Sequence, residues 1–324
     1  MPAITLAEVR QGQLTDLEKG VIDEITRGDY LFQEIPFDPI ANPIAGGAGW
    51  STSYVYLSEE SQTGFRGING KYDDTFAKKK MKTAEVKVYG GSFSIDRALR
   101  DQGGVENEVA FQMGQLIKSA RKGFSYYLIN GSVAASAEQF DGLDTLLKGT
   151  ATDMLAHATS FDLSTFDKVK ANALEFATKL DEWLSLLSEK PHALIGNSKM
   201  ITKIKAAAKV AGLYTLTPTA YGEQIDSYDG IPLIKVEKYL PKGETVAKET
   251  VAIDTATGNT SLYAVRFGED ALSVASPSSG KIIDVIAPDF NVASEQARGL
   301  VELRGVPILK TSKSCGVLRN IKVQ

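Results

Sequence analysis

Residues 104–132 read GVENEVAFQMGQLIKSARKGFSYYLINGS, and residues 139–143 read QFDGL. Val109, Met113, Leu116, Ile117, Ala120, Phe124, Tyr127 and Leu128 recur at intervals of three and four, which predicts one apolar stripe on a helix of about seven turns. Glu106 and Glu108 near its start, with Lys118, Arg121 and Lys122 later, suit the two ends of the helix dipole. Asn130-Gly131 is expected to end it, glycine taking the left-handed cap conformation at no steric penalty. A helix of roughly 26 residues is about 40 Å long, more than one compact core hides. Read alone it is a long core helix, and its length requires that it run along some other surface.

On its N-terminal side, Thr52–Leu57 and Thr83–Tyr89 read as strands, with Ala84, Val86 and Val88 alternating against Thr83, Glu85 and Lys87. They predict the two limbs of a hairpin. The connection Ser58–Lys82 is polar, glycine-bearing and charged, carrying Glu59, Glu60, Arg66, Asp73, Asp74, the run Lys78-Lys79-Lys80 and Lys82. Connections this long without a core of their own are generally functional or disordered. At Gly90-Gly91 the alternation changes parity, since Phe93 and Ile95 are odd where Val86 and Val88 are even, and a bulge or bend is expected there. Further upstream, Leu14, Leu17, Val21, Ile22 and Ile25 predict a helix in an N-terminal arm. The prolines of Phe32–Pro39 and Asn42-Pro43 predict extended chain after it.

On the C-terminal side the pattern is mixed. Ser164 is the expected N-cap of a helix with Phe166, Val169, Ala173, Phe176, Leu180, Trp183 and Leu187 on one face, ending near Lys190-Pro191. Ala193–Ile195 reads as a buried strand, and Ser198 as the cap of a second helix running to Gly212. Strands are predicted at Ile231–Val236, Val251–Asp254, Leu262–Phe267 and Lys281–Ile286, and again in the tail through Val301, Leu303, Val317, Ile321 and Val323. The class is α+β. The two ends of the sequence are expected to meet around the long helix, with 144–290 as a separate lobe.

With 324 residues the chain can bury about three quarters of its extended surface, enough for two ordinary cores or one core with long extensions. Charged residues at 23% and hydrophobic ones at 43% fit a soluble globular protein. No secretory signal is read in the acidic first thirty residues, and no apolar run approaches the roughly 18 residues of a membrane span. A single cysteine, Cys315, excludes an internal disulfide and a thiolate metal cage and fits a reducing compartment. A net charge of −4 argues against a generally basic surface for gripping nucleic acid.

Catalytic constellations are thin. His157 and His192 lack metal-type spacing with Cys, Asp or Glu, and they read as surface or helix-adjacent residues. Neither Gly90-Gly91-Ser92-Phe93-Ser94 nor Gly196-Asn197-Ser198-Lys199 completes a nucleophile elbow, and no phosphate-loop or dinucleotide fingerprint occurs. Asp73-Asp74 reads as a solvated pair rather than a cation site. An enzyme, a cofactor and a metal are accordingly not expected.

The ordered set Phe65-Arg66-Gly67-Ile68-Asn69-Gly70-Lys71-Tyr72, Gly90–Arg97, the long helix into Asn130-Gly131, Gln139–Leu143 and Asp229–Ile234 resembles the major capsid proteins of tailed bacteriophages. The likeness spans nearly the whole chain. It implies the Johnson fold: an N-terminal arm over 1–49, an extended hairpin called the E-loop over 50–90, and a peripheral domain over 91–143 with a spine helix at 104–130. An axial domain would follow over 144–290, and 291–324 would return as strands of the peripheral domain. It also implies a shell of hexamers and pentamers of this chain, residing in the virion and assembled in the host cytoplasm. The shell would enclose double-stranded DNA without sequence-specific binding, with a portal and no membrane. Only about 45 residues precede the hairpin, so a separate scaffolding protein is expected. The lysine–asparagine crosslink of some relatives has no clear counterpart here, Asn320 being the nearest asparagine without an adjacent carboxylate. An encapsulin-type compartment is the alternative close in fold, and a monomeric β-rich binding protein or hydrolase the alternative of another class. Under the shell reading the hairpin works between subunits, through Glu59, Glu60, Phe65, Arg66, Tyr72, Lys78, Lys79, Lys80 and Lys82.

Overall fold

The computed structural model describes residues 30–39, 50–59, 61–99, 105–212, 214–218, 224–277, 284–291 and 294–324. The predicted arm helix around Leu14–Ile25 lies outside them. The described chain opens with a short helix α1 (Tyr30–Glu34), a strand β1 (Phe37–Asp38), the hairpin strands β2 (Ser51–Glu59) and β3 (Lys78–Glu85), and β4 (Lys87–Asp96). The long helix α2 (Val105–Asn130) and a short α3 (Leu143–Leu147) follow. Next come β5 (Asp153–Leu155), β6 (Phe161–Asp162), α4 (Phe166–Ser185), β7 (Ala193–Gly196) and α5 (Ser198–Ala211). The remaining strands are β8 (Tyr214–Pro218), β9 (Gln224–Tyr228), β10 (Ile231–Lys235), β11 (Asn259–Val265), β12 (Leu272–Ala275), β13 (Asp284–Ile286), β14 (Gln296–Leu309) and β15 (Gly316–Lys322).

Two sheets carry the fold. In the five-stranded sheet the order is β1-β12-β14-β13, and β4 also pairs with β14. The long strand β14 is its organiser: residues 296–305 run antiparallel to β4, and its end, Val306–Leu309, pairs with β12. In the eight-stranded sheet the order is β5-β15-β11-β7-β10-β9-β8, with β6 beside β15. The helices α4 and α5 cover this second sheet through Phe176, Leu180, Trp183, Met200 and Ile204, all buried. Trp183 also donates its indole N–H to the Thr152 carbonyl at 3.1 Å, which satisfies the one polar atom that ring buries.

The long helix matches its predicted extent to one residue, but its surroundings differ along its length. Its first half, with Met113, Leu116, Ile117 and Ala120, lies on β4 and β14 against Tyr89, Phe93 and Val301. Its last turns enter the main core. There Phe124 packs on the rings of Phe32 in α1, Phe37 in the sheet strand β1 and Phe140 in the 139–143 loop. Gly131 is not left-handed as expected. It is glycine because a Cβ there would meet the carbonyl oxygens of Phe140 and Tyr127 at 2.4 and 2.6 Å. Gly142 crosses the same point, its N–H donating to Gly131 O at 2.8 Å.

Other expectations change for local reasons. No bulge occurs at Gly90-Gly91, where β4 pairs with Glu302 and Val301 in unbroken register. A Cβ on Gly90 would stand 2.1 Å from Val301 O, so that glycine serves close backbone approach. The parity change arises because Val88 is exposed while Tyr89, Phe93 and Ile95 face inward. The caps shift by one residue: Thr165 accepts from the Lys168 N–H, and Asn197 from the Met200 N–H. Phe32 lies in α1 rather than in extended chain, the helix closing before Pro36 with Ile35 N donating to Leu31 O at 3.2 Å. Of the expected strand Val251–Asp254 only a single bridge forms, Ile253 with Thr260.

The segment 291–324 divides between the sheets. β14 stays with β4, whereas β15 sits in the second sheet between β5 and β11. In the other direction β12, from within 144–290, pairs with β14. One apolar core accordingly contains Phe124, Leu128, Leu272 and Val306 together with Tyr263, Val265 and Val317 of the second sheet. Arg319 reinforces the junction, donating to Asp153 and Asp144 at 2.7 Å each, while the Tyr263 hydroxyl donates to Asp144 at 2.8 Å.

Candidate functional site

The hairpin β2–β3 forms a two-stranded sheet that joins neither large sheet. Its root is held firmly. Tyr54 and Val86 are buried in the main core, and Val86 N–H donates to Trp50 O at 2.8 Å. Burial above all, then the neighbouring Tyr56 and Asp141, pushes the Tyr54 hydroxyl up to about 12, so it stays protonated as a core residue. Beyond the root the environment reverses, and every side chain from residue 61 through 83 is exposed.

Cross-strand register decides what each face of the limbs displays. Lys82 lies opposite Tyr54, Met81 opposite Val55, Lys80 opposite Tyr56, and Lys79 opposite Leu57. Because successive side chains point to opposite faces, Lys80 and Lys82 share one face and Lys79 and Met81 the other. The lysine run is therefore not one basic patch. Lys78 pairs with Glu59 across a register shift, which sets the acidic and basic ends of the connection side by side. The strand also begins at Lys78, so the connection is shorter than the expected Ser58–Lys82. Glu60 lies outside the described residues, and of Glu59 only the backbone is described.

The tip has an internal order of its own. Gly70 N–H donates to Gly67 O at 3.0 Å and closes a turn with Asn69 at φ 69°. Arg66 reaches across it to the Gly70 carbonyl at 3.2 Å, and its guanidinium lies 5.3 Å from the Tyr72 ring centre. Thr75 Oγ1 ties the two sides together by donating to Gln62 O at 2.5 Å. This small frame presents Phe65, fully exposed, with Ile68 at 96% and Phe76 at 79% exposure. Ile68, Phe76, Val55 and Met81 lie outside the contact set expected from the sequence, although apolar side chains in a glycine-rich polar stretch are the signal for them.

A groove of about 580 Å³ runs between β4 and the long helix, lined by Tyr89, Gly91, Leu116, Tyr239, Arg298 and Leu300 among others. Tyr89 donates to the Tyr239 hydroxyl at 3.1 Å, and Tyr127 and Tyr126 pack on the same ring. Burial, then the bond to Tyr239, raises the Tyr89 pKa far above its ordinary value, so the Tyr89 hydroxyl stays protonated near neutrality. His157 hydrogen-bonds within its own loop, and His192 accepts from Phe267 N–H at 3.3 Å. Cys315 is buried, which pushes its thiol up to about 11 and keeps it un-ionised. Among the described residues no group of three or more His, Cys, Asp or Glu is placed to hold a metal ion.

No protein-family model matches the chain, and no curated protein matches it. Solved structures do. The holo-SrpI encapsulin complex from Synechococcus elongatus aligns over 98% of this chain and 97% of its own, at 15% identity and a TM-score of 0.62. The Mycobacterium phage Bobi structure aligns over 100% of both chains, at 10% identity and a TM-score of 0.56. The capsid of Myoviridae phage XM1 aligns over 90% of this chain and 91% of its own, at 11% identity and a TM-score of 0.52. The mixed α+β fold is thus the fold of phage capsid and encapsulin shell subunits.

Proposed function

We propose that this chain is the major capsid protein of a tailed phage, a structural rather than catalytic subunit that closes on itself into an icosahedral shell around double-stranded DNA. The observation that carries the reading is the hairpin. An isolated two-stranded sheet is marginal in water, and several large apolar side chains left exposed at its tip mark a surface that another molecule covers. A second copy of the chain is the occupant that the shared fold supports. On this reading 104–130 is the spine, 50–90 the E-loop, and the second sheet the body of the axial domain, with hexamers and pentamers as the units. A scaffolding protein and a portal complete the assembly in the host cytoplasm.

An encapsulin-type compartment is favoured by one specific finding, the 0.62 TM-score over nearly the full length of both chains. Negative-stain micrographs of the purified protein, with light scattering, test the shell itself, and a stable monomer under all assembly conditions would remove it. Nucleic acid inside native particles supports the phage reading, and protein cargo the compartment. A second expectation concerns DNA. With a net charge of −4 the free subunit should bind duplex DNA more weakly than micromolar at physiological salt. Tighter retention in a filter-binding assay would contradict packaging without gripping.

A further inference from the structure

The sequence holds two Asn-Gly pairs, Asn69-Gly70 and Asn130-Gly131, and the structure gives them opposite surroundings. Asn130 Nδ2 donates to the Tyr126 and Thr250 carbonyls at 3.1 and 2.6 Å, and the Gly131 N–H is committed to Tyr127 O at 2.7 Å. Both reacting groups of that pair are fixed at the packed end of the long helix. Asn69 stands at the tip of the hairpin with a left-handed φ of 69°, among exposed residues on both sides. No hydrogen bond engages its side chain among the described residues. The Gly70 N–H is held only by Gly67 O, in a turn that buries nothing. Such a turn opens at little free-energy cost.

We infer that Asn69 is a site of spontaneous deamidation. When the turn opens, the Gly70 backbone nitrogen loses its proton to base and attacks the Asn69 side-chain carbon Cγ. The N–Cγ bond forms, the Cγ–Nδ2 bond breaks, and Nδ2 leaves as ammonia after taking up a proton. Water then adds to either carbonyl of the cyclic imide and opens it. One opening leaves aspartate, and the other leaves isoaspartate, in which the main chain passes through Cγ. No oxidant or reductant enters. Gly70 favours the first step because it has no side chain to hinder the approach. Either product adds a carboxylate to the turn whose Gly70 carbonyl Arg66 bonds, and isoaspartate adds one carbon to a turn closed by a single backbone hydrogen bond. The tip that leaves the ribosome is therefore not the tip that an ageing, unassembled subunit presents. That consequence rests on the shell reading; the modification itself does not.

The test follows the intact chain at neutral and mildly alkaline pH, with a urea-unfolded sample in parallel. After digestion, both Asn-Gly peptides are quantified by mass spectrometry with separation of aspartate and isoaspartate forms. The Asn69 peptide should convert in the folded protein, faster at the higher pH, and several-fold more slowly in Gly70→Ala. The Asn130 peptide should convert only in urea. An Asn69 peptide that keeps its amide, or an Asn130 peptide that converts at the same rate in the folded chain, overturns the inference. Particle formation is not a readout, so a failure of the shell reading leaves the outcome interpretable.

Discussion

Phe124→Ala is expected to lower the stability of the subunit by about 3–5 kcal/mol, the range for truncating a fully buried phenylalanine. The ring is 0% exposed and has three aromatic neighbours, with centroids of Phe32, Phe140 and Phe37 at 5.7, 5.9 and 6.1 Å. Phe32 meets it edge-on at 89°. These neighbours belong to α1, β1 and the loop before α3, elements anchored at different points, so they do not collapse together to fill the void. Urea denaturation of the monomeric subunit measures the loss. A midpoint equal to that of the parent would show that the core around the end of α2 is not packed as described.

The second large effect is on assembly rather than folding. Replacing Phe65, Ile68 and Phe76 together by serine should leave subunit stability within about 0.5 kcal/mol per site, since none is buried in the subunit. Particle yield should fall to background. Burying one such side chain at an interface contributes roughly 1.5–3 kcal/mol, and each 1.4 kcal/mol is about tenfold in affinity. Three losses at the lower figure weaken one contact about a thousandfold, and the symmetric shell repeats that contact in every subunit. Exposed ion pairs contribute only about 0–1 kcal/mol, so Lys80→Glu with Lys82→Glu should do less, and its effect should fade with salt. Micrographs showing normal particles from the serine variant would remove the hairpin from the assembly interface.

What the sequence made legible follows from periodicity. The long helix was readable because its stripe is unbroken from Val109 to Leu128, and α4, α5, β7 and β10 because each has a clear apolar face. Strands β8 and β9 were missed because Tyr214–Pro218 and Gln224–Tyr228 are short and polar and gain their order by pairing with one another. The cap shifts at Thr165 and Asn197 reflect two adjacent residues that are both good caps, a choice set by the helix direction rather than by residue type. At the hairpin, charge drew attention to the lysines. The exposed apolar residues Ile68 and Phe76 carry a weaker signal, apolar side chains in a glycine-rich polar stretch, and only the structure shows that nothing in the subunit covers them. The division of 291–324 between two sheets was likewise out of reach, since nothing in alternation says which edge a strand will find.

The pairing of β4 with β14 also sets a timetable. The ladder joins residues 87–96 to residues 296–305, some 200 positions later in the chain. At about 5–20 residues per second, a ribosome needs roughly 10–40 s to supply the partner after β4 has emerged. During that interval the floor beneath the long helix is half built. A polypeptide broken off before residue 296 lacks both β14 and β15 and leaves each sheet without a central member. Such a fragment still carries the hairpin but not the body that aims it.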